Sequence, residues 1–343
     1  MRARPAWNPP NPWVGPTIAW DEGPPPASVE VLEDATREIL SRNASPDVGF
    51  RWSVNPYRGC LHACAYCYAR PTHEYLGMGA GTDFDTRIVA KRRAPELLRE
   101  AFDRPAWKGE RVAFAGATDA WQPLEAALRL TRRCLEVCAA YRNPVCCVTK
   151  SALIARDVDV LQELSRVAHA SVSISLPLLD PARARALEPW APSPAARLRT
   201  LEALARAGLS PGVLVAPVIP GLDDELPRVL AAAREAGAVG AAWLLLRLPG
   251  SVAEVFASRV RAALPEAAGR ILHLVRGTRS GRLSDSRFAV RGRGEGAYAA
   301  AIGELFRVTA TRLGLRTGDP GPAGPATFRR PGDLRQLGLF GEP

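Results

Sequence analysis

Between residues 48 and 274 the chain repeats one pattern, a short run of β-type residues followed by a longer amphipathic stretch. The runs are VGFRWSV (48–54), RVAFAG (111–116), PVCCVT (144–149), ASVSISL (170–176), GVLVAPVI (212–219) and VGAAWLLLRL (239–248). Between them lie stretches of helical period such as PLEAALRLTRRCLEVCAAY (123–141) and SPAARLRTLEALARAG (193–208), the second opened by Ser193 as an N-cap with Pro194 behind it. Helices that alternate with strands return the chain to the same end of the sheet, so the strands run parallel and the crossovers are right-handed. Six such units predict an α/β fold, as an open parallel sheet or a curved partial barrel. No sequence repeat beyond this alternation is visible.

The flanks read differently. Residues 1–47 form a Pro-rich lead-in, within which VEVLEDATREILSR (29–42) has helical spacing. A further helix is expected at about 296–314, and RTGDPGPAGPATFRRPGD (316–333) reads as a flexible linker. The chain thus divides into a lead-in (1–47), an α/β core (48–274), a basic segment with a C-terminal helix (275–315), and a linker with a tail peptide (316–343). No apolar run reaches the roughly 18 residues that cross a bilayer, and MRARPAWNPPNPWVGP lacks the apolar stretch of a secretion signal. No membrane association and a cytoplasmic location are the expectations.

The net charge of +10 points to a polyanionic partner, because cationic proteins gain affinity by releasing counterions from phosphates. The bases are 42 Arg and only three Lys (Lys91, Lys108 and Lys150), a bias that GC-rich coding also produces. The most basic stretch, VRGTRSGRLSDSRFAVRGRGEG (275–296), sets six Arg against two acids; it is either a phosphate-binding segment or a solvated loop.

Three of the seven cysteines fall within RGCLHACAYCY (58–68), at Cys60, Cys64 and Cys67. An odd count with one tight cluster does not fit a secreted disulfide framework; in a reducing compartment such thiols bind metal or react. The cluster follows the first predicted strand and so lies at the C-terminal mouth of the sheet, where α/β proteins build their sites. Three thiolates on one loop can hold three corners of a cubane iron-sulfur cluster. Zinc, with His62 or His73 as a fourth ligand, is the alternative, although the second Cys/His knuckle of most structural zinc sites is missing.

The arrangement C-x3-C-x-Φ-C, with Tyr66 as the aromatic Φ, resembles the radical S-adenosylmethionine superfamily. The resemblance implies that Cys60, Cys64 and Cys67 ligate a [4Fe-4S] cluster and that Tyr66 packs near the adenine of S-adenosylmethionine. It also implies a partial (β/α)6 barrel, a reducing electron donor as partner, and reductive cleavage of S-adenosylmethionine to a 5′-deoxyadenosyl radical. NPYRGCLHACAYCYAR, GATDAWQPLE, VTKS, SISL and VLVAPVIPGLDD look more narrowly like the spore photoproduct lyase-like branch, over about residues 48–250. In that branch an Asp after the second strand, a Lys ending the third and a Ser on the fourth face S-adenosylmethionine, which here match Asp119, Lys150 and Ser173. Ser171 and Ser175 share the face of Ser173 by strand alternation. The branch places a cysteine hydrogen-atom donor beside that Asp, where this chain has Gly116-Ala117-Thr118-Asp119. Cys146 or Cys147, adjacent on the third predicted strand, could substitute or could simply pack, as Cys134 and Cys138 are expected to do.

The tail, RQLGLFGEP, resembles the bacterial sliding-clamp-binding peptide through Gln336, Leu337, Leu339 and Phe340, and a clamp partner would tie the chain to DNA. The resemblances together imply a radical enzyme acting on a nucleic-acid lesion or modification, in the manner of DNA repair. A metal-cluster module that binds clamp or nucleic acid without turnover, and a radical enzyme acting on another substrate such as a peptide, stand as alternatives.

Overall fold

In strands such as Ala170–Ser175, apolar residues occupy every second position, and the fold buries that face while leaving the other to small side chains. The computed structural model describes residues 28–114, 116–318 and 326–332. Its strands in chain order are β1 (Glu30–Glu33), β2 (Leu40–Arg42), β3 (Trp52–Val54), β4 (Tyr57–Arg58), β5 (Arg87–Ala90), β6 (Val112–Phe114), β7 (Val145–Thr149), β8 (Ala170–Ser175), β9 (Gly212–Val218), β10 (Gly240–Leu245) and β11 (Arg316–Thr317). Among the described residues, eight strands form one sheet in the order β11-β10-β9-β8-β7-β6-β3-β2. The six predicted strands are its centre and pair in parallel; β11 adds in parallel at one edge and β2 antiparallel at the other.

Val172 and Ile174 of β8, Val213 and Val215 of β9, and Trp243 and Leu245 of β10 pack against helices Val158–Val167, Pro194–Arg206, Leu226–Glu235 and Gly296–Arg312 through Leu161, Leu201, Leu230 and Phe306. Each such side chain contributes about 1.5–3 kcal/mol on burial, so this one face holds the fold together. The opposite face mixes small residues, Ser171, Ser173, Gly212, Gly240 and Ala242, with Val148, Leu214 and Leu244, all only partly buried or exposed. Helices outside and this face within make this a partial (β/α)6 barrel. Ser193 caps its helix as its sequence predicts, accepting from the Ala196 N–H at 3.3 Å.

Three local expectations are corrected. The stretch 29–42 is not a helix: Glu30–Glu33 pairs with Arg87–Ala90 and Leu40–Arg42 with Trp52–Val54, because open sheet edges offer hydrogen bonds that outweigh a weak helical period. The helix predicted over 123–141 breaks into Glu125–Leu128 and Leu130–Ala140 at Arg129, whose φ is +53°. The stretch 316–333 is in part packed rather than a linker. Arg316–Thr317 extends the sheet, and the Phe328 ring centroid lies 6.0 Å from that of Phe102 and 6.2 Å from that of Tyr141.

A smaller sheet, β1-β5-β4, delivers the chain into the cysteine loop. A second apolar cluster packs Cys64, Ala65 and Tyr66 against Leu187, Leu246, Phe256 and Ile271, fixing that loop to the C-terminal end of the barrel.

Candidate active site

The loop begins at Gly59, whose φ of +78° is open to glycine at low cost. A Cβ there would sit 2.9 Å from both the Phe84 carbonyl oxygen and His73 Cε1. The Cys60 N–H donates to Phe84 O (3.0 Å) and the Leu61 N–H to Gln122 Oε1 (3.0 Å), while Gln122 Nε2 and Thr118 Oγ1 both donate to Gly59 O (3.1 and 2.6 Å). From the far side the loop is gripped by Arg70, which is buried. Its guanidinium donates to Cys64 O from Nε and Nη2 (3.0 and 2.8 Å), to Ala80 O and Gly81 O from Nη1 (2.8 and 3.0 Å), and pairs with Asp85 at 2.8 Å.

Cys60 and Cys64 are buried, Cys67 is partly so, and none of the three forms a disulfide. Burial, and then the Glu188 charge, push the Cys64 thiol well above its ordinary value; burial, and then Cys60, push Cys67 up to about 11. Cys64 is further raised by Cys60 and Cys67, so a bound cation that replaces the protons of Cys64 and Cys67 favours their thiolates. Among the described residues no three His, Cys, Asp or Glu side chains converge as the ligands of one metal ion do. Of the histidines of the zinc alternative, His62 lies beside both Cys60 and Asp119, and His73 Nε2 lies 2.9 Å from Arg87 O.

Asp119 follows β6 and ties two turns together. Oδ1 accepts from Thr149 Oγ1 (2.6 Å) and the Trp121 N–H (2.9 Å); Oδ2 accepts from the Lys150 N–H (2.8 Å) and lies 3.4 Å from His62 Nδ1. Burial opposes its ionisation, yet His62 and the bonds from Thr149 and Lys150 hold the carboxyl down at about 2. Burial likewise disfavours a charged His62 ring, but Cys60 and Asp119 hold it up at about 10. Both oxygens of Asp119 are thus occupied by its own chain.

Lys150 follows the last residue of β7, and its Nζ donates to Ser175 Oγ at 2.8 Å, lies 3.8 Å from Glu188 and stands 5.6 Å over the Tyr66 ring. Burial lowers the Lys150 pKa, opposed by the nearby Cys64. Glu188 is the centre of this group, accepting from the Tyr66 hydroxyl and from the buried Arg197. Ser175, at the end of β8, is therefore the serine that meets Lys150. Ser173 lies one layer deeper, against Gly212, where an added Cβ would come within 3.1 Å of its hydroxyl.

The expected residues Cys60, Cys64, Cys67, Tyr66, Asp119 and Lys150 gather at the C-terminal ends of the strands. Gln122, Glu188 and Arg197 were not singled out from the sequence. Cys147 is buried in the helix-facing core, whereas Cys146 shares the partly buried inner face with Val148. Cys134 and Cys138 pack in the same core as Cys147. Gln336, Leu337, Leu339 and Phe340 lie outside the described residues. Among the described residues no helix is long and apolar enough to cross a membrane.

Comparison with known proteins adds four findings. The sequence pattern of the Radical SAM superfamily matches residues 54–233, more than half of the chain. Over 251 residues the chain is 40% identical to "Uncharacterized protein Rv2578c" of Mycobacterium tuberculosis (strain H37Rv), covering 72% of this chain and 73% of that one. It is 26% identical over 198 residues to "Uncharacterized protein MJ0683" of Methanocaldococcus jannaschii, covering 58% and 71% respectively. In fold it is similar to spore photoproduct lyase complexed with dinucleoside spore photoproduct, with a TM-score of 0.61, 16% identity, and 84% of this chain and 81% of that chain covered.

Proposed function

The chain belongs to the radical SAM superfamily, and from that premise we propose that it is a radical enzyme acting on a nucleic-acid lesion or modification, with Cys60, Cys64 and Cys67 as its cluster ligands. The superfamily's cofactors are a [4Fe-4S] cluster and S-adenosylmethionine, which when bound and reduced supply a 5′-deoxyadenosyl radical. The observation that carries the reading is the trio of thiols on one loop, two of them buried, with Lys150 at the neighbouring strand end.

In this reading Lys150 offers its ammonium to the carboxylate of S-adenosylmethionine, a charge-assisted contact of about 1.5–3 kcal/mol. Ser175 and Glu188 hold that ammonium in place, and Tyr66, fixed through its hydroxyl by Glu188, supplies an aromatic face for the adenine. Ser173 is the deeper alternative to Ser175. Asp119 is a positioning residue that fixes His62 and the Lys150 backbone. Cys146 remains the thiol to examine as hydrogen donor, since it is the member of the pair on the inner face.

The nucleic-acid substrate is supported by the net charge of +10 and by the fold shared with a lyase crystallised with a dinucleoside photoproduct. A cluster module without turnover has no use for a partly buried lysine aimed across the thiol loop, and a peptide substrate leaves the charge unexplained. The reading includes a reducing electron donor, a cytoplasmic location suited to cysteines that form no disulfide, and a sliding clamp as partner of the tail peptide, on its sequence alone.

The test is anaerobic reconstitution followed by assay of 5′-deoxyadenosine with damaged and undamaged DNA. Parent protein should take up about four irons and show a visible absorbance that dithionite bleaches, and Ala at Cys60, Cys64 or Cys67 should abolish both. Stoichiometric zinc without a reducible chromophore would sink the reading, while cleavage indifferent to every nucleic acid offered would remove its substrate half.

A further inference from the structure

The basic stretch 275–296 lies against the C-terminal end of β10, where the buried Arg279 fastens it by donating to Leu246 O at 2.7 Å and Val290 O at 2.8 Å. Two exposed aromatic rings flank this junction, each beside an arginine. Arg247 lies 5.2 Å from the ring centroid of Tyr68, the residue after Cys67, and Arg291 lies 4.5 Å from that of Phe288. Tyr68 is 48% and Phe288 55% exposed. Arg291 is neutralised by Asp47, and Arg287 by Asp285 and Glu295. Arg247, partly buried, forms no ion pair among the described residues; burial and then the charge of Arg291 disfavour its own charge, while Asp47 favours it.

We propose that this rim binds a single strand of nucleic acid, Arg247 taking a backbone phosphate while Tyr68 and Phe288 stack on unpaired bases. The inference rests on the nucleic-acid reading above and names the surface that would serve it. Guanidinium is a planar fork that suits phosphate, and an unneutralised one on a protein surface attracts it. Exposed rings cost free energy in water, and a base offers the flat face that covers them; an acidic peptide meets the charge but offers no such face throughout its length. Stacking on a ring requires a base outside its own stack, so a single strand or an opened duplex fits better than paired DNA. The position of Tyr68 next to Cys67 sets a stacked base beside the thiol loop.

The test uses full-length reconstituted protein and fluorescence anisotropy with labelled single-stranded DNA, single-stranded RNA and duplex DNA, at several salt concentrations. Single strands should bind more tightly than duplex, with the DNA and RNA arms identifying the natural polymer. Arg247→Gln should weaken single-strand binding several-fold and make the slope of log affinity against log salt shallower by about 0.7, the share of one phosphate. Tyr68→Ala should cost about tenfold with the slope unchanged, and Tyr68→Phe should restore most of it. Arg199→Gln, on an exposed helix face, removes the same charge and serves as the control, with iron content and circular dichroism confirming that every variant is folded and loaded. If Arg247→Gln weakens binding no more than Arg199→Gln and Tyr68→Ala binds like the parent, the rim is not the surface, although the nucleic-acid reading survives. If the parent binds none of the three polymers, both fall.

Discussion

Asp119 accepts from Thr149, Lys150 and Trp121 and pairs with His62, so its replacement strands several buried groups at once. Asp119→Asn keeps the size and removes the charge, and is expected to destabilise the fold by about 3 kcal/mol, as breaking a buried ion pair does. The pH dependence has a definite sign. The folded carboxyl titrates at about 2 against an ordinary 3.8, so its contribution is complete above the ordinary value and disappears as pH falls toward 2. The Tm gap between parent and variant should therefore be widest near neutrality and narrow below pH ~4. A gap that is constant across this range would show that Asp119 acts only by its shape. Glu188 presents the limit of reading at this scale. Its partner Tyr66 lies 122 positions away in the chain, and no local pattern marks a buried carboxylate before the two segments meet. Ser175 was visible only as one of three serines on a strand face, and the ammonium of Lys150 picks it out.

At the scale of elements, the loop's shape depends on its first residue. Gly59→Ala would add a methyl at a φ of +78° and 2.9 Å from a backbone oxygen that cannot step aside. The expected cost exceeds about 1 kcal/mol for the backbone alone. It should appear both as a lower Tm and as fewer irons per chain on reconstitution; full iron content at unchanged Tm would show that the loop relaxes freely. The six central strands were legible because β-branched runs recur with helices between them, and the cysteine loop because its spacing is specific. The segment 29–42, and residues 316–317 and 326–330 of the stretch 316–333, were misread because their conformation is set by partners: an open sheet edge for Leu40–Arg42, and the aromatic group of Phe102 and Tyr141 for Phe328. The break at Arg129 was hidden by a helical period that runs through it.

For the whole molecule, the packing of Phe328 decides how the tail leaves the barrel. The Arg329 N–H donates to Tyr141 O at 2.9 Å and Thr327 Oγ1 to Arg142 O at 2.9 Å, so this segment is fastened at the end of the helix Leu130–Ala140. Truncation after Gly332 should leave Tm unchanged and abolish clamp binding, while truncation after Gly318 should also uncover the aromatic group, at about 1–2 kcal/mol for the half-buried ring. A peptide of residues 331–343 should bind the bacterial clamp, and its Leu339→Ala, Phe340→Ala form should not; equal stability of the two truncations would mean that the Phe328 contact contributes nothing. The thiol loop has a different relation to the rest of the chain. Arg70 gathers the carbonyls of Cys64, Ala80 and Gly81 around one guanidinium, and Gln122 and Phe84 O hold the other end. All of these are groups of the protein itself. A zinc finger collapses when its ion is withdrawn because the ion is its scaffold. Here side chains and carbonyls of the protein brace the loop as well, so its shape is expected to outlast the cluster, and removal and return of iron should leave the circular dichroism of the chain unchanged.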